Sequence, residues 1–297
     1  MELLYIRITS LVIIALIYML FDVFNKRNIP GLFIYLSLAY GFILTLLYLN
    51  ITTILFSTAT ALLVLGGGYL LYRAGQLGVA DVVEFAVLSM ILPTQITPLL
   101  SKVPQFNLPL IISLLINTGI SAFIVAVLYY LPKAKMMSKT PLLSQITNSN
   151  ILKALTIGAS YTAFLILLVS FFGFYLPGVI LILLLLSTSI LVVLFEKPLT
   201  STMVSYVSYT GFEAGDIIAL NLMSQSEIGA VRKKVKRFDR LLTDKLIKDI
   251  KTKGIRTKFP VYKNAMPLAL PIFIGVCLSL LFGDLLLFII PFATSIL

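Results

Sequence analysis

Long apolar stretches separated by short polar breaks run along most of the chain. A bilayer core of about 30 Å takes about 20 apolar residues in helical form to cross. Stretches of that order occupy residues 4–21, 31–49, 51–72, 79–100, 107–131, 151–172, 175–195 and 266–290, with the least distinct divisions at 50 and at 173–177. These eight candidates, fewer if neighbours fuse or form a re-entrant pair, predict about 6–8 transmembrane helices. No small-residue cleavage site stands out after the first stretch, which is expected to be a retained helix.

Residues 196–264 break the pattern. "TSTMVSYVSYTGFEAGDIIAL" mixes β-branched and aromatic residues with the turn formers Gly211, Gly215 and Asp216, and predicts short strands. "LTDKLIKDIKTKG" places Leu242, Leu246, Ile247 and Ile250 at helical spacing with Gly254 just past the end, which predicts a capped amphipathic helix. The expected fold is an all-α polytopic membrane protein with a small α+β domain inserted before the last helix. Its parts are 1–195, a transmembrane domain; 196–264, the inserted domain; and 265–297, a last helix packing on the first domain.

Charge sets an orientation. Lys26 and Arg27 follow the first span, Arg73 the third, and Lys133, Lys135, Lys139 and Lys153 the fifth, while fourteen more cations fall in 197–263. The alternate connections carry almost none apart from Lys102. By the positive-inside rule the basic connections and 196–264 are cytoplasmic, and both termini are outside. The net charge of +11 then reflects orientation rather than nucleic-acid binding. "RKKVKRFDR" at 232–240 is either a solvated helix face or a contact for anionic lipid headgroups. Nothing in the sequence sets an oligomeric state.

Composition narrows the chemistry. The chain is 59% hydrophobic and 12% charged, with one cysteine, Cys277, and no histidine among 297 residues. Serine–histidine, cysteine–histidine and zinc-hydrolase chemistries therefore have no residues to run on, and no disulfide framework or cysteine-built zinc cluster is possible. No GxxxxGK[ST] phosphate loop occurs. No metal and no cofactor is expected.

Ionisable residues within membrane spans are costly and so mark candidate sites. Four are acids: Asp22, Asp81, Glu84 and Asp284. Asp22 ends the first span; after two further crossings Asp81 opens the fourth, so parity puts both at one depth. Asp284 falls near the other membrane face. When two carboxyl groups approach they cannot both ionise cheaply and share a proton. One then activates water while the other protonates a scissile carbonyl. Gly78 permits close backbone approach. The simpler alternative is that Asp81 caps its helix and Asp22 pairs with Lys26 or Arg27. Glu84, one turn beyond Asp81 on the same face, either receives a cationic substrate segment or hydrogen-bonds within the bundle. "LGGGY" at 65–69 predicts close helix packing, and Glu213 and Asp216 either bind cationic residues or simply form a turn.

The residues around both aspartates resemble those of a known family. "DVFNKRNIPG" resembles the segment after the first catalytic aspartate of type IV prepilin peptidases, and "GVAD", Gly78 to Asp81, resembles their GxGD signature with Ala80 in place of the second glycine. "FEAGDIIAL" and "KFPVYKNAMPLALPIFIG" resemble segments of archaeal members, so the likeness touches the beginning, middle and end of the chain. It implies that Asp22 and Asp81 are the catalytic aspartates of a membrane aspartyl endopeptidase; beside them, Gly78, Ala80 and Glu84 are the candidates for binding substrate or shaping the cleft. The implied substrates are pilin-like or archaellin precursors, cut at the cytoplasmic face between a short basic leader and an apolar helix. Bacterial members commonly carry a cysteine-bearing segment and an N-methyltransferase activity; Cys277 lies in the last span, so peptidase activity without methylation is expected. "LALP" at 268–271 resembles the PALP motif of presenilins and signal peptide peptidases, but Leu268 replaces its first proline and the aspartates lie on spans one and four rather than on adjacent ones. Outside the peptidases, the same acids suit an ion-coupled transporter or, without activity, a membrane scaffold.

Overall fold

The computed structural model describes residues 2–25, 29–47, 50–73, 77–92, 99, 110–137, 141–174, 176–235, 238–255, 257–263 and 266–285. The apolar stretches form α1 (Glu2–Phe24), α2 (Gly31–Leu46), α3 (Ile51–Arg73), α4 (Val79–Ile91), α5 (Leu110–Met137), α6 (Asn148–Phe172) and α7 (Leu176–Leu194). The remaining elements are α8 (Glu196–Met203), β1 (Ser205–Val207), α9 (Gln225–Lys234), α10 (Asp244–Thr252), β2 (Phe259–Val261) and α11 (Ala269–Phe282). Among the described residues four helices, α1, α3, α5 and α6, are long and apolar enough to cross a membrane, or five if α7 and α8 form one bent span. This is a helical membrane protein.

Several boundaries differ from the sequence expectation, each for a local reason. The fourth span was expected to run to residue 100, but α4 ends at Ile91, and Leu92 is extended at φ −54° and ψ 127°. Pro93 follows it in the sequence, and a residue before proline is pushed out of the helical region. The fifth span runs on to Met137 despite Pro132 inside it. Asn50 makes a clean break, its Oδ1 accepting from the Thr52 and Thr53 amides at 3.0 and 3.4 Å as the cap of α3. Residues 200–203, expected to begin a strand region, are instead the second half of the helix α8, which turns 74° from α7. Pro198 in its first turn suits a helix start, and Glu196 there suits the positive dipole end. Lys26, Arg27 and Lys102 lie outside the described residues.

The core of the bundle joins α1, α2, α4, α5 and α11 through Leu11, Ala15, Leu44, Leu88, Ile91, Leu114, Ile272 and Val276. Large apolar side chains face outward, as lipid contact requires: Leu63 is 76% exposed and Leu70 69%. Two close approaches depend on glycine. A Cβ on Gly68, in the "LGGGY" stretch, would lie 2.4 Å from Val82 Cγ1, and one on Gly275 2.4 Å from Thr118 Oγ1. These contacts set α3 against α4 and α11 against α5 at backbone distance.

The polar segment has its own core of Ile218, Val231, Val235, Leu242, Ile250, Phe259 and Val261. β1 and β2 pair antiparallel with Ser205 opposite Val261. Isolated bridges then add Ile218 beside Val261 and Leu241 beside Ile217. The amphipathic helix expected after Leu242 is α10, capped by Thr243 and followed by Gly254 at φ 61°. Arg232, Lys233 and Lys234 end α9 on the surface.

A buried arginine ties α1 to α4. Arg7 has no solvent exposure and donates to the carbonyls of Met90 (2.7 Å), Ile91 (2.7 Å) and Leu92 (3.0 Å). These are end-of-helix carbonyls with no partner inside α4, and a cation there complements the negative end of the dipole. Arg7→Met leaves them without this donor in an apolar surround. It is expected to destabilise the detergent-solubilised chain by at least about 2 kcal/mol in thermal unfolding, with Arg7→Lys recovering part of the loss.

Candidate active site

Three helix ends converge opposite the Arg7 clamp: the C-terminal turns of α1 and the N-termini of α4 and α11. Each brings one group. Asp22, in the last turns of α1, is 7% exposed, and its Oδ2 accepts the amide hydrogen of Ala269 at 3.1 Å. Ala269 is the first residue of α11 and 247 residues distant in sequence. The aspartate therefore closes the positive end of a helix to which it does not belong.

Asp81 does the same for its own helix. It sits in the first turn of α4, partly buried, and its Oδ2 accepts from the Gly78 amide at 3.0 Å. A Cβ on Gly78 would lie 2.8 Å from that oxygen, so glycine is needed for the carboxyl to fold back onto the cap. Ala80 is partly buried and packs its methyl against the apolar core.

Asp22 and Asp81 are close enough for the charge of each to act on the other, and Glu84 feels both. Glu84 is fully buried, and neither carboxyl oxygen has a hydrogen-bond partner. Neither sequence-based role is visible for it: it is closed to an arriving cation, and the bundle gives it no hydrogen bond. Its polar neighbour is Tyr18, one turn before Asp22 on the same face of α1 and within electrostatic reach. The Tyr18 hydroxyl lies 2.8 Å from Ser37 Oγ, which donates to the Ile34 carbonyl at 2.9 Å, so the tyrosine is the donor in the first bond.

The other candidates lie elsewhere. Asp284 follows the far end of α11, two residues past a helix that rises about 20 Å from Ala269 to Phe282. Glu213 and Asp216 face Lys263 in the polar domain, at 3.3 and 2.8 Å. Among the described residues no group of three acidic, cysteine or histidine side chains is placed to hold a metal ion. Two contributors escaped sequence reasoning. Tyr18 was open to it, four residues before Asp22, whereas Ala269 acts through a backbone amide that leaves no residue-type signal.

Chemically, the site offers two carboxyl groups on separate helices, each held by a backbone N–H and each sensing the other. That arrangement suits general acid–base work on a polar substrate at the end of an apolar bundle. No protein-family model, curated protein or solved structure matches the chain.

Gly78→Ala pushes the Asp81 carboxyl off its cap. It should cost about 1 kcal/mol in thermal unfolding of the purified chain, the usual value of a lost N-cap bond. Asp81→Asn, which keeps an acceptor oxygen, should cost less.

Proposed function

We propose that the chain is a membrane aspartyl endopeptidase that removes the short basic leader of type IV pilin-like precursors, archaellin precursors included, at the cytoplasmic membrane face. The observation that carries this reading is that Asp22 and Asp81, 59 residues apart in sequence and on separate helices, lie within electrostatic reach of one another. Around both residues the sequence resembles the prepilin peptidase motifs, and the basic connections put the same end of the bundle on the cytoplasmic side.

The reaction needs one proton shared by two carboxyl groups. The ionised member takes a proton from water as its oxygen attacks the scissile carbonyl, and the protonated member gives its proton to the carbonyl oxygen. The tetrahedral diol then collapses: the C–N bond breaks, the amine leaves with the proton first taken from water, and the other proton returns to the dyad. The amides of Gly78 and Ala269 hold the two carboxyl groups in orientation, which spares the reaction that entropy. A basic leader is drawn to an acidic pair, and the apolar helix behind the cut remains in the membrane.

A second reading has one observation in its favour. Glu84, buried one turn deeper without a hydrogen-bond partner, is the kind of group that carries protons in an ion-coupled transporter. The readings separate in one experiment, in which the purified chain is reconstituted and given tagged pilin-like precursors. Cleavage at the leader boundary, lost in both Asp22→Asn and Asp81→Asn while insertion is unchanged, is the expected result. Substantial cleavage by either variant overturns the peptidase assignment. Solute flux that depends on Asp22 without any cleavage identifies the transporter.

A further inference from the structure

β2 ends eight residues before Ala269, whose amide Asp22 holds. The strand is anchored in the polar domain's core, with Phe259 and Val261 fully buried. The 217–219 strip lies along its other edge: Ala219 donates to the Pro260 carbonyl at 2.8 Å and Tyr262 to the Ile217 carbonyl at 2.9 Å. Lys263 then closes the end of the pair. Its ammonium is 2.8 Å from Asp216 Oδ2 and 3.3 Å from Glu213 Oε2, with the lysine side chain 26% and the Asp216 side chain 12% exposed. The same Asp216 oxygen accepts from the Glu213 amide at 2.9 Å, so one carboxylate holds both the turn and the lysine.

Only residues 264–268 separate this clasp from Ala269, whose amide holds Asp22. Pro267 restricts the tether and Pro271 the first turn of α11. The start of α11 therefore has two attachments, the clasp on one side and Asp22 on the other.

We propose that the Lys263 clasp with Asp216 and Glu213 is a positioning device for the dyad, acting through the Ala269 amide on Asp22. The inference rests on the peptidase reading for its kinetic consequence. Lys263, Asp216 and Ala269 are positioning residues: their effect falls on the orientation of one carboxyl group. Loss of the clasp lets the start of α11 drift, and small misplacements of a reacting group are expensive in rate.

A double-mutant cycle tests this on the full chain with a tagged pilin-like precursor. Lys263→Met is expected to lower kcat by about tenfold while KM stays within about twofold, and Lys263→Arg to recover most of the loss. Ala269→Pro removes the donor itself and also pushes Leu268, which is helical at φ −77° and ψ −25°, toward an extended backbone; with its thermal stability measured alongside, it should lower kcat at least as much. The combination should be no worse than Ala269→Pro alone, because the clasp has nothing left to act through. Additive losses, a change confined to KM, or no effect of Lys263→Met each overturn the proposal. Amide exchange of 266–272 supplies a readout independent of cleavage: it should quicken in Lys263→Met, and unchanged exchange refutes the coupling. Absence of cleavage by the unmodified chain would defeat the peptidase reading instead, leaving the exchange result to decide the coupling by itself.

Discussion

The clamp of Arg7 on the last carbonyls of α4 is the constraint from which the site follows. α1 and α4 run antiparallel, so fixing one pair of ends sets the register of the other. Measured along the axes at 1.5 Å per residue, Asp22 lies about 22 Å from Arg7, and Asp81 about 15 Å from Ile91. Asp81 thus starts deeper in the bundle. Side chains on a helix lean toward its N-terminus, which for Asp81 is toward the end of the bundle and for Asp22 is inward. The two carboxyl groups lean toward one another, and a buried guanidinium at the far end supports an acidic pair at the near one.

The same economy governs the remaining polar groups. An apolar surround leaves no water for helix ends, so each must find a partner within the protein. Asn117 serves the far end of α11, donating to the Gly283 carbonyl at 2.7 Å and to Ser279 Oγ at 2.9 Å, while its own oxygen accepts from the Leu285 amide at 3.2 Å. Asp22 serves the near end. Among the described residues the Thr118 hydroxyl and Glu84 are exceptions, and Glu84, without a hydrogen bond and with two acids in electrostatic reach, is the costlier of the two to bury. Such an unrelieved cost is characteristic of functional sites rather than of structural cores.

The acids of this site were legible in the sequence, since Asp22, Asp81 and Glu84 interrupt apolar stretches. The parity count that set Asp22 and Asp81 at one depth treats α2 and α4 as crossings, whereas among the described residues these have 16 and 13 residues and only α1, α3, α5 and α6 are long enough to span by themselves; what joins the two acids in the structure is their electrostatic reach. Other features left weaker traces. The helical run 196–203 hides behind the β-branched Thr200 and Thr202, although Pro198 marks a helix start. The end of α4 at Ile91 hides inside a largely apolar run, where Pro93 and the polar Thr94 and Gln95 are the nearest breaks. The Ala269 contact leaves no trace, since an amide is present at every residue but proline and only tertiary structure chooses which one meets a carboxylate.

The connection between the polar domain and the bundle also limits where pH acts. Burial by itself would lower the Lys263 ammonium, but its hydrogen bond to Asp216 and the charge of that carboxylate, then the same from Glu213, outweigh this and hold it above the usual lysine value. A cation stabilised in this way contributes its full stability below the unfolded lysine value and loses it only as pH rises through the raised one. Deprotonation of Lys263 therefore does not open the clasp at neutral pH. Within the peptidase reading, Lys263 consequently keeps its proton through the neutral range, and the clasp contributes no pH dependence of rate there.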